Sequence, residues 1–137
     1  MFREQKILVV DDSGLQADIL ESTLNDLGAR NVTKTVNGVH ALKYFGDALG
    51  TEKPYSLVFL DIIMPEMDGQ EALKRMRALE KNSGIPEKIK ARIVMTTSLD
   101  SPESMIAALI EGGCDDYIVK PVYTDSLKAV LSRLGFL

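Results

Sequence analysis

Four short apolar runs constrain this chain more than anything else in it, because each ends in a chemically active side chain. Ile7-Leu8-Val9-Val10 leads into Asp11-Asp12, Leu57-Val58-Phe59-Leu60 into Asp61, Ile93-Val94-Met95-Thr96 into Thr97, and Tyr117-Ile118-Val119 into Lys120-Pro121. The runs are continuously apolar instead of alternating, the pattern of strands covered by helices on both faces. A weaker strand is predicted at Val32–Val36. Helical periodicity fills the gaps between the runs, which predicts an α/β fold with a parallel sheet. Five strands and five helices joined by right-handed crossovers make a doubly wound three-layer α/β/α sandwich, flavodoxin-like, with strand order 2-1-3-4-5. In such a sheet the C-terminal strand ends share one edge, and ligands bind in the crevice there.

The helices are read from stripes and stop signals. The first is predicted to start near Ser13 or Gly14, with Leu15, Ile19, Leu20, Leu24 and Leu27 as its stripe and Gly28 as its stop. Asn37-Gly38 is read as a turn before a second helix over Val39–Leu49, with Leu42, Phe45 and Leu49 on one side. The third is placed from about Gln70 to Glu80, with Leu73, Met76 and Leu79 inward and Glu71 and Arg75 paired outside. Ser101 and Pro102 open a fourth helix that Gly112-Gly113 ends, and a fifth starts at Thr124 or Asp125.

A length of 137 residues, without an internal repeat or low-complexity segment, predicts a single domain over 1–137. The net charge of −4 argues against direct nucleic-acid binding. No stretch reaches the length of a membrane span, and the N-terminus lacks the pattern of a signal peptide. With Cys114 as the only cysteine, no internal disulfide can form, which suits a cytoplasmic location; the residue is read as a half-buried filler.

The first and third strands flank the switch point of the predicted sheet, so Asp11, Asp12 and Asp61 converge. Carboxylates about 4–5 Å apart repel by several kcal/mol per pair at an effective dielectric near 20. Either one stays protonated or a cation binds. Oxygen-only ligands in small number favour Mg²⁺ or Mn²⁺ over Ca²⁺. Taken alone, Asp-Asp-Ser could simply cap a helix. Capping does not account for three acids, a hydroxyl and a lysine at one sheet edge. A carboxylate can act as a nucleophile and become an acyl phosphate. The transferring group then needs its oxygens neutralised, by a metal, by the Lys120 ammonium and by a hydroxyl of Thr97 or Ser98. Lys120-Pro121 is a candidate cis peptide.

These residues resemble a known family. The pair Asp11-Asp12, the string Asp61-Ile62-Ile63-Met64-Pro65-Glu66-Met67-Asp68-Gly69, Thr97, and Tyr117-Ile118-Val119-Lys120-Pro121 are similar to the receiver domain of two-component response regulators, over essentially the whole chain. The resemblance implies an aspartyl-phosphate switch of the single-domain chemotaxis-regulator type, an enzyme only in its self-dephosphorylation. Asp61 would accept phosphate from the phosphohistidine of a histidine kinase or phosphotransfer protein. Asp12, Asp61 and the backbone carbonyl of Ile63 would ligate Mg²⁺, and Asp11 would hold it through water. Lys120 would pair with the phosphate, Thr97 would reach toward it, and Tyr117 would rotate as Thr97 moves. A face made of the fourth helix, fifth strand and fifth helix would contact a downstream protein, the chain being a monomer or a weak phosphorylation-dependent dimer.

Two departures from the family pattern carry expectations. Thr97 lies one residue farther from Lys120 than strict spacing, which would select Ser98; Thr97 is taken because the extra residue fits the Gly112-Gly113 helix end. Ile63 and Leu99 flank the phosphate position with apolar side chains, which predicts hindered hydrolysis and a long-lived phosphoryl-aspartate. The alternatives are a receiver cut from a larger regulator and a small Asp-dependent phosphohydrolase. The latter normally needs a first-strand D-x-D and a cap domain. Of the remaining residues, His40 is read as solvated, Asp115-Asp116 as a turn, and Tyr44, Tyr55 and Tyr123 as packing residues.

Overall fold

In the computed structural model, residues 1–98, 103 and 113–137 are described. Five parallel strands, β1 (Lys6–Val10), β2 (Asn31–Thr35), β3 (Leu57–Asp61), β4 (Arg92–Thr97) and β5 (Asp116–Val119), form one sheet in the order β2-β1-β3-β4-β5. Helices α1 (Gly14–Asp26), α2 (Gly38–Leu49) and α3 (Gly69–Asn82) and a C-terminal helix (Thr124–Arg133) cover it. Apart from Glu103, the expected helix from Ser101 to Gly112 lies outside the described residues, and so does Leu99.

The continuous apolar runs are explained by the two layers they serve. Ile7, Val9, Leu57, Phe59, Val94 and Ile118 pack against Ala17, Leu20 and Leu24 of α1 and Leu127, Val130 and Leu131 of the C-terminal helix. The intervening residues Leu8, Val10, Val58, Leu60, Ile93 and Met95 pack against Ala41, Phe45 and Ala48 of α2 and Leu73 and Met76 of α3. Strand side chains alternate between faces, so a strand with helices on both sides has no polar face to show. Each large side chain buried this way stabilises the fold by about 1.5–3 kcal/mol.

Several local expectations shift. On α1 the buried stripe is Ala17, Leu20 and Leu24, whereas Leu15 and Ile19 are exposed. Small Ala17, not a leucine, sets the face against the sheet, a choice that apolar periodicity alone does not reveal. β2 ends at Thr35 and leaves Val36 exposed. Asn37 acts as an N-cap rather than as a turn residue, its Oδ1 accepting from the His40 amide at 2.8 Å. Gly28 does stop α1, with φ +109°, and the Glu71–Arg75 pair forms at 2.9 Å. Helix α3 runs on to Asn82 and buries Glu80, a charged residue the apolar stripe did not include. Tyr55 is buried as read, but Tyr44 and Tyr123 are exposed, and so is His40.

Candidate functional site

The site is built at the C-terminal ends of β1, β3, β4 and β5. Asp11 follows β1 directly, and its Oδ1 accepts from the Ser13 amide at 2.9 Å. Ser13 in turn caps α1, with Oγ accepting from Gln16 N at 3.2 Å. The capping role that Asp-Asp-Ser could have had alone is thus real, yet it leaves Asp11 Oδ2 and all of Asp12 for other work. Asp12 is exposed.

Asp61 is the last residue of β3, and its Oδ1 accepts from the Ile63 amide at 3.2 Å. Its backbone is gripped from behind by Gly69, whose amide donates to the Ile62 carbonyl at 2.8 Å. A Cβ on Gly69 would collide with the Asp61 carbonyl oxygen and stand 2.7 Å from Ile62 Cα. Only glycine permits that approach. Asp68, one residue earlier, caps α3 by accepting from the Glu71 amide at 2.9 Å. The Asp68-Gly69 pair at the end of the sequence string therefore starts a helix and seats the backbone of Asp61.

Asp11, Asp12 and Asp61 each offer an oxygen, and these oxygens lie within 4.8 Å of one another. Lys120, reached after β5, places Nζ 2.8 Å from Asp11 Oδ2 and 3.1 Å from Asp61 Oδ2. The Lys120-Pro121 peptide is cis. Three carboxylates against one ammonium leave a formal excess of two negative charges, so the charge and the hard oxygen donors suit a divalent ion such as Mg²⁺. Burial pushes the Asp61 carboxyl up from 3.8 to about 6, against the opposing pull of Lys120. Burial also opposes the charge on Lys120, but the hydrogen bond to Asp11 and the two negative charges outweigh it and hold its pKa above the ordinary value.

Thr97 ends β4 and is fully buried. Its carbonyl accepts from the Lys120 amide at 2.6 Å, and its hydroxyl donates to the Ser98 carbonyl at 3.2 Å. The register sets Thr96, not Thr97, level with Asp61. Thr96 was not singled out from the sequence; it lines, with Asp11, Gln16 and Lys120, a cavity of about 80 Å³ behind the acids. Ile63 stands exposed beside the carboxylates. Tyr117 lies on β5, partly exposed in a groove with Lys120, Tyr123 and Arg133. The fold therefore brings Asp11, Asp12, Asp61 and Lys120 into one cluster, and ties Thr97 to it through the backbone.

Comparison with known proteins agrees with this geometry. Residues 7–132 match the family model described as response regulator receiver domain. A chemotaxis protein CheY homolog of Campylobacter jejuni is 36% identical over 126 residues, covering 92% of this chain and 88% of that protein. A hybrid signal transduction histidine kinase L of Dictyostelium discoideum is 32% identical over 130 residues, covering 95% of this chain but 7% of that protein. Among solved structures, the Mg²⁺ complex of the receiver domain of the histidine kinase CKI1 from Arabidopsis thaliana superposes with a TM-score of 0.83 at 26% identity, covering 98% of this chain and 94% of that one.

Proposed function

Because this chain belongs to the response regulator receiver domain family and so has a phosphoacceptor role in two-component signalling, we propose that Asp61 is the residue that takes the phosphoryl group. In the proposed reaction an Asp61 carboxylate oxygen attacks the phosphorus of a phosphohistidine on a histidine kinase or phosphotransfer protein. The phosphorus–nitrogen bond breaks, an aspartyl phosphate forms, and the imidazole leaves and takes up a proton. The observation that carries the reading is the Lys120 ammonium held between Asp11 and Asp61 beside the exposed Asp12.

Asp12, Asp61 and the Ile63 carbonyl would hold Mg²⁺, with Asp11 contributing through water. The chemistry supplied by a bound Mg²⁺ is charge neutralisation at the phosphoryl oxygens. Lys120 would exchange its bond to Asp61 for one to the new phosphate, since an ammonium serves equally as a point charge for either anion. Its pairing with Asp11 keeps it charged and aimed meanwhile. Thr97 would turn its hydroxyl from the Ser98 carbonyl to the phosphate, and Tyr117 would move inward with it. This is a local charge change biasing a two-state element. The face made of the expected fourth helix, β5 and the C-terminal helix would then engage a downstream protein. The domain, taken as 1–137, would act in the cytoplasm as a monomer or weak phosphorylation-dependent dimer and lose the phosphate by its own slow hydrolysis.

A second reading is a receiver belonging to a longer polypeptide. The match to a hybrid kinase, of which this chain spans 7%, favours keeping it. Both readings place the phosphate on Asp61. Incubation with acetyl phosphate and Mg²⁺, followed by intact-mass analysis, should add one phosphoryl group, and Asp61→Asn should take up none. Equal modification of the Asn variant would overturn the assignment.

A further inference from the structure

At the opposite end of the sheet from the acids lies a second cluster of charges, and the phosphoryl chemistry makes no use of it. Arg77 of α3 uses all three of its guanidinium nitrogens there. Its Nε donates to the Gly113 carbonyl at 2.9 Å, Nη1 to Glu80 Oε1 at 2.7 Å and to the Ala91 carbonyl at 2.8 Å, and Nη2 to Asp115 Oδ2 at 2.9 Å. The buried Glu80 uses its second oxygen to accept from the Ala91 amide at 2.7 Å. Asp115 accepts from the Ile93 amide at 2.8 Å while its own amide donates to the Ile93 carbonyl at 2.8 Å. The Asp115 side chain thus extends the β4–β5 ladder one step below its first backbone pair, Val94 with Asp116.

β5 needs such help. It is an edge strand, four residues long, and only Ile118 in it is buried. Hydrophobic patterning specifies register where a whole face is buried, and one side chain is a weak specification. Yet Lys120 follows this strand directly and must reach two carboxylates at once. A slide of one residue along the strand, about 3.3 Å, would carry its ammonium out of hydrogen-bond range. Just before the strand Gly113, at φ +80°, has its carbonyl captured by Arg77. Registration is therefore set below the strand.

We infer that Arg77, Glu80 and Asp115 form a register pin for β5, and that Arg77 and Asp115 are positioning residues for Lys120. The functional half of this inference rests on the phosphoacceptor reading; the structural half does not.

The test uses Arg77→Lys, which keeps the charge but not the fork, and Asp115→Ala, with Leu79→Ala as a control for general loss of stability. The first readout is amide exchange at Lys120, whose amide bonds to Thr97 O, relative to that at Leu8 in β1. Both pin variants should raise this ratio about tenfold, and the control should leave it unchanged. The second readout is the rate of Asp61 modification by acetyl phosphate. The pin variants should slow it about tenfold in the parent chain but less than about twofold in a Lys120→Met chain, since residues acting through one group are not additive. Unchanged exchange at Lys120, or equal slowing in both backgrounds, would overturn the inference. A similar response from Leu79→Ala would do the same. A parent chain that takes no phosphate would count against the phosphoacceptor reading alone, and the exchange ratio would then decide the pin.

Discussion

The ammonium of Lys120 lies 3.1 Å from the carboxylate of Asp61, and still the Asp61 carboxyl titrates near 6 because burial outweighs the attraction. The carboxyl at the centre of the proposed reaction is thus held ionised at neutral pH at a cost. Nucleophilic reactivity and folding stability draw on the same desolvation.

That cost has a pH signature. The folded pKa of Asp61 is above its unfolded value, so its stabilising contribution is complete below about pH 4 and is lost as pH rises through about 6. Asp61→Asn should be more stable than the parent chain by of order 1–3 kcal/mol at pH 7.5 without divalent ions, the difference vanishing near pH 4. Urea denaturation across that range measures it. A gap that does not vary with pH would reject the burial account.

A divalent ion should reverse the penalty. At a Mg²⁺ concentration about 100 times its dissociation constant, the stability gain is about 2.7 kcal/mol. Asp12→Ala should abolish the gain while leaving metal-free stability within about 0.5 kcal/mol, because Asp12 is exposed. Below pH 6 the gain should shrink, since protons compete for Asp61. Melting curves with and without Mg²⁺ for both chains test this directly.

Ile63 is exposed beside the acids and offers no hydrogen bond to an attacking water. The phosphorylated parent chain should decay over minutes or longer, and Ile63→Asn should shorten the half-life about tenfold, less than the roughly 10²–10⁴-fold of a positioned general base because an amide orients the water without taking its proton. A dephosphorylation time course decides it; a parent half-life of seconds would remove the reason for singling out Ile63.

Gly69→Ala should destabilise the chain by about 3 kcal/mol or more, since its Cβ meets the Asp61 carbonyl and that backbone has nowhere to move. The Mg²⁺ response of whatever remains folded should weaken too. A neutral Gly69→Ala in denaturant titrations would mean that the Asp61 strand end is softer than its contacts imply.

Much of this was present in the order of residues. Apolar runs of strand length ending in Asp11, Asp61, Thr97 and Lys120 specify strands, and helical spacing between them specifies a parallel sheet with its strand ends along one edge. Such features are local and periodic, so they survive being read one segment at a time. The exposure of Leu15 and Ile19, the burial of Glu80 and the Arg77–Asp115 pairing do not. An α1 face built on Ala17 depends on how closely the helix approaches the sheet. A buried carboxylate is tolerable only if donors meet it, here Arg77 one turn earlier on α3 and the Ala91 amide from the segment entering β4. The amino-acid sequence by itself determined that the acids and Lys120 gather at the C-terminal edge of the sheet. The tertiary structure alone decided how Lys120 is shared between Asp11 and Asp61, and what holds its strand in register, because both are contacts between segments far apart in the chain that exist only once the layers have closed.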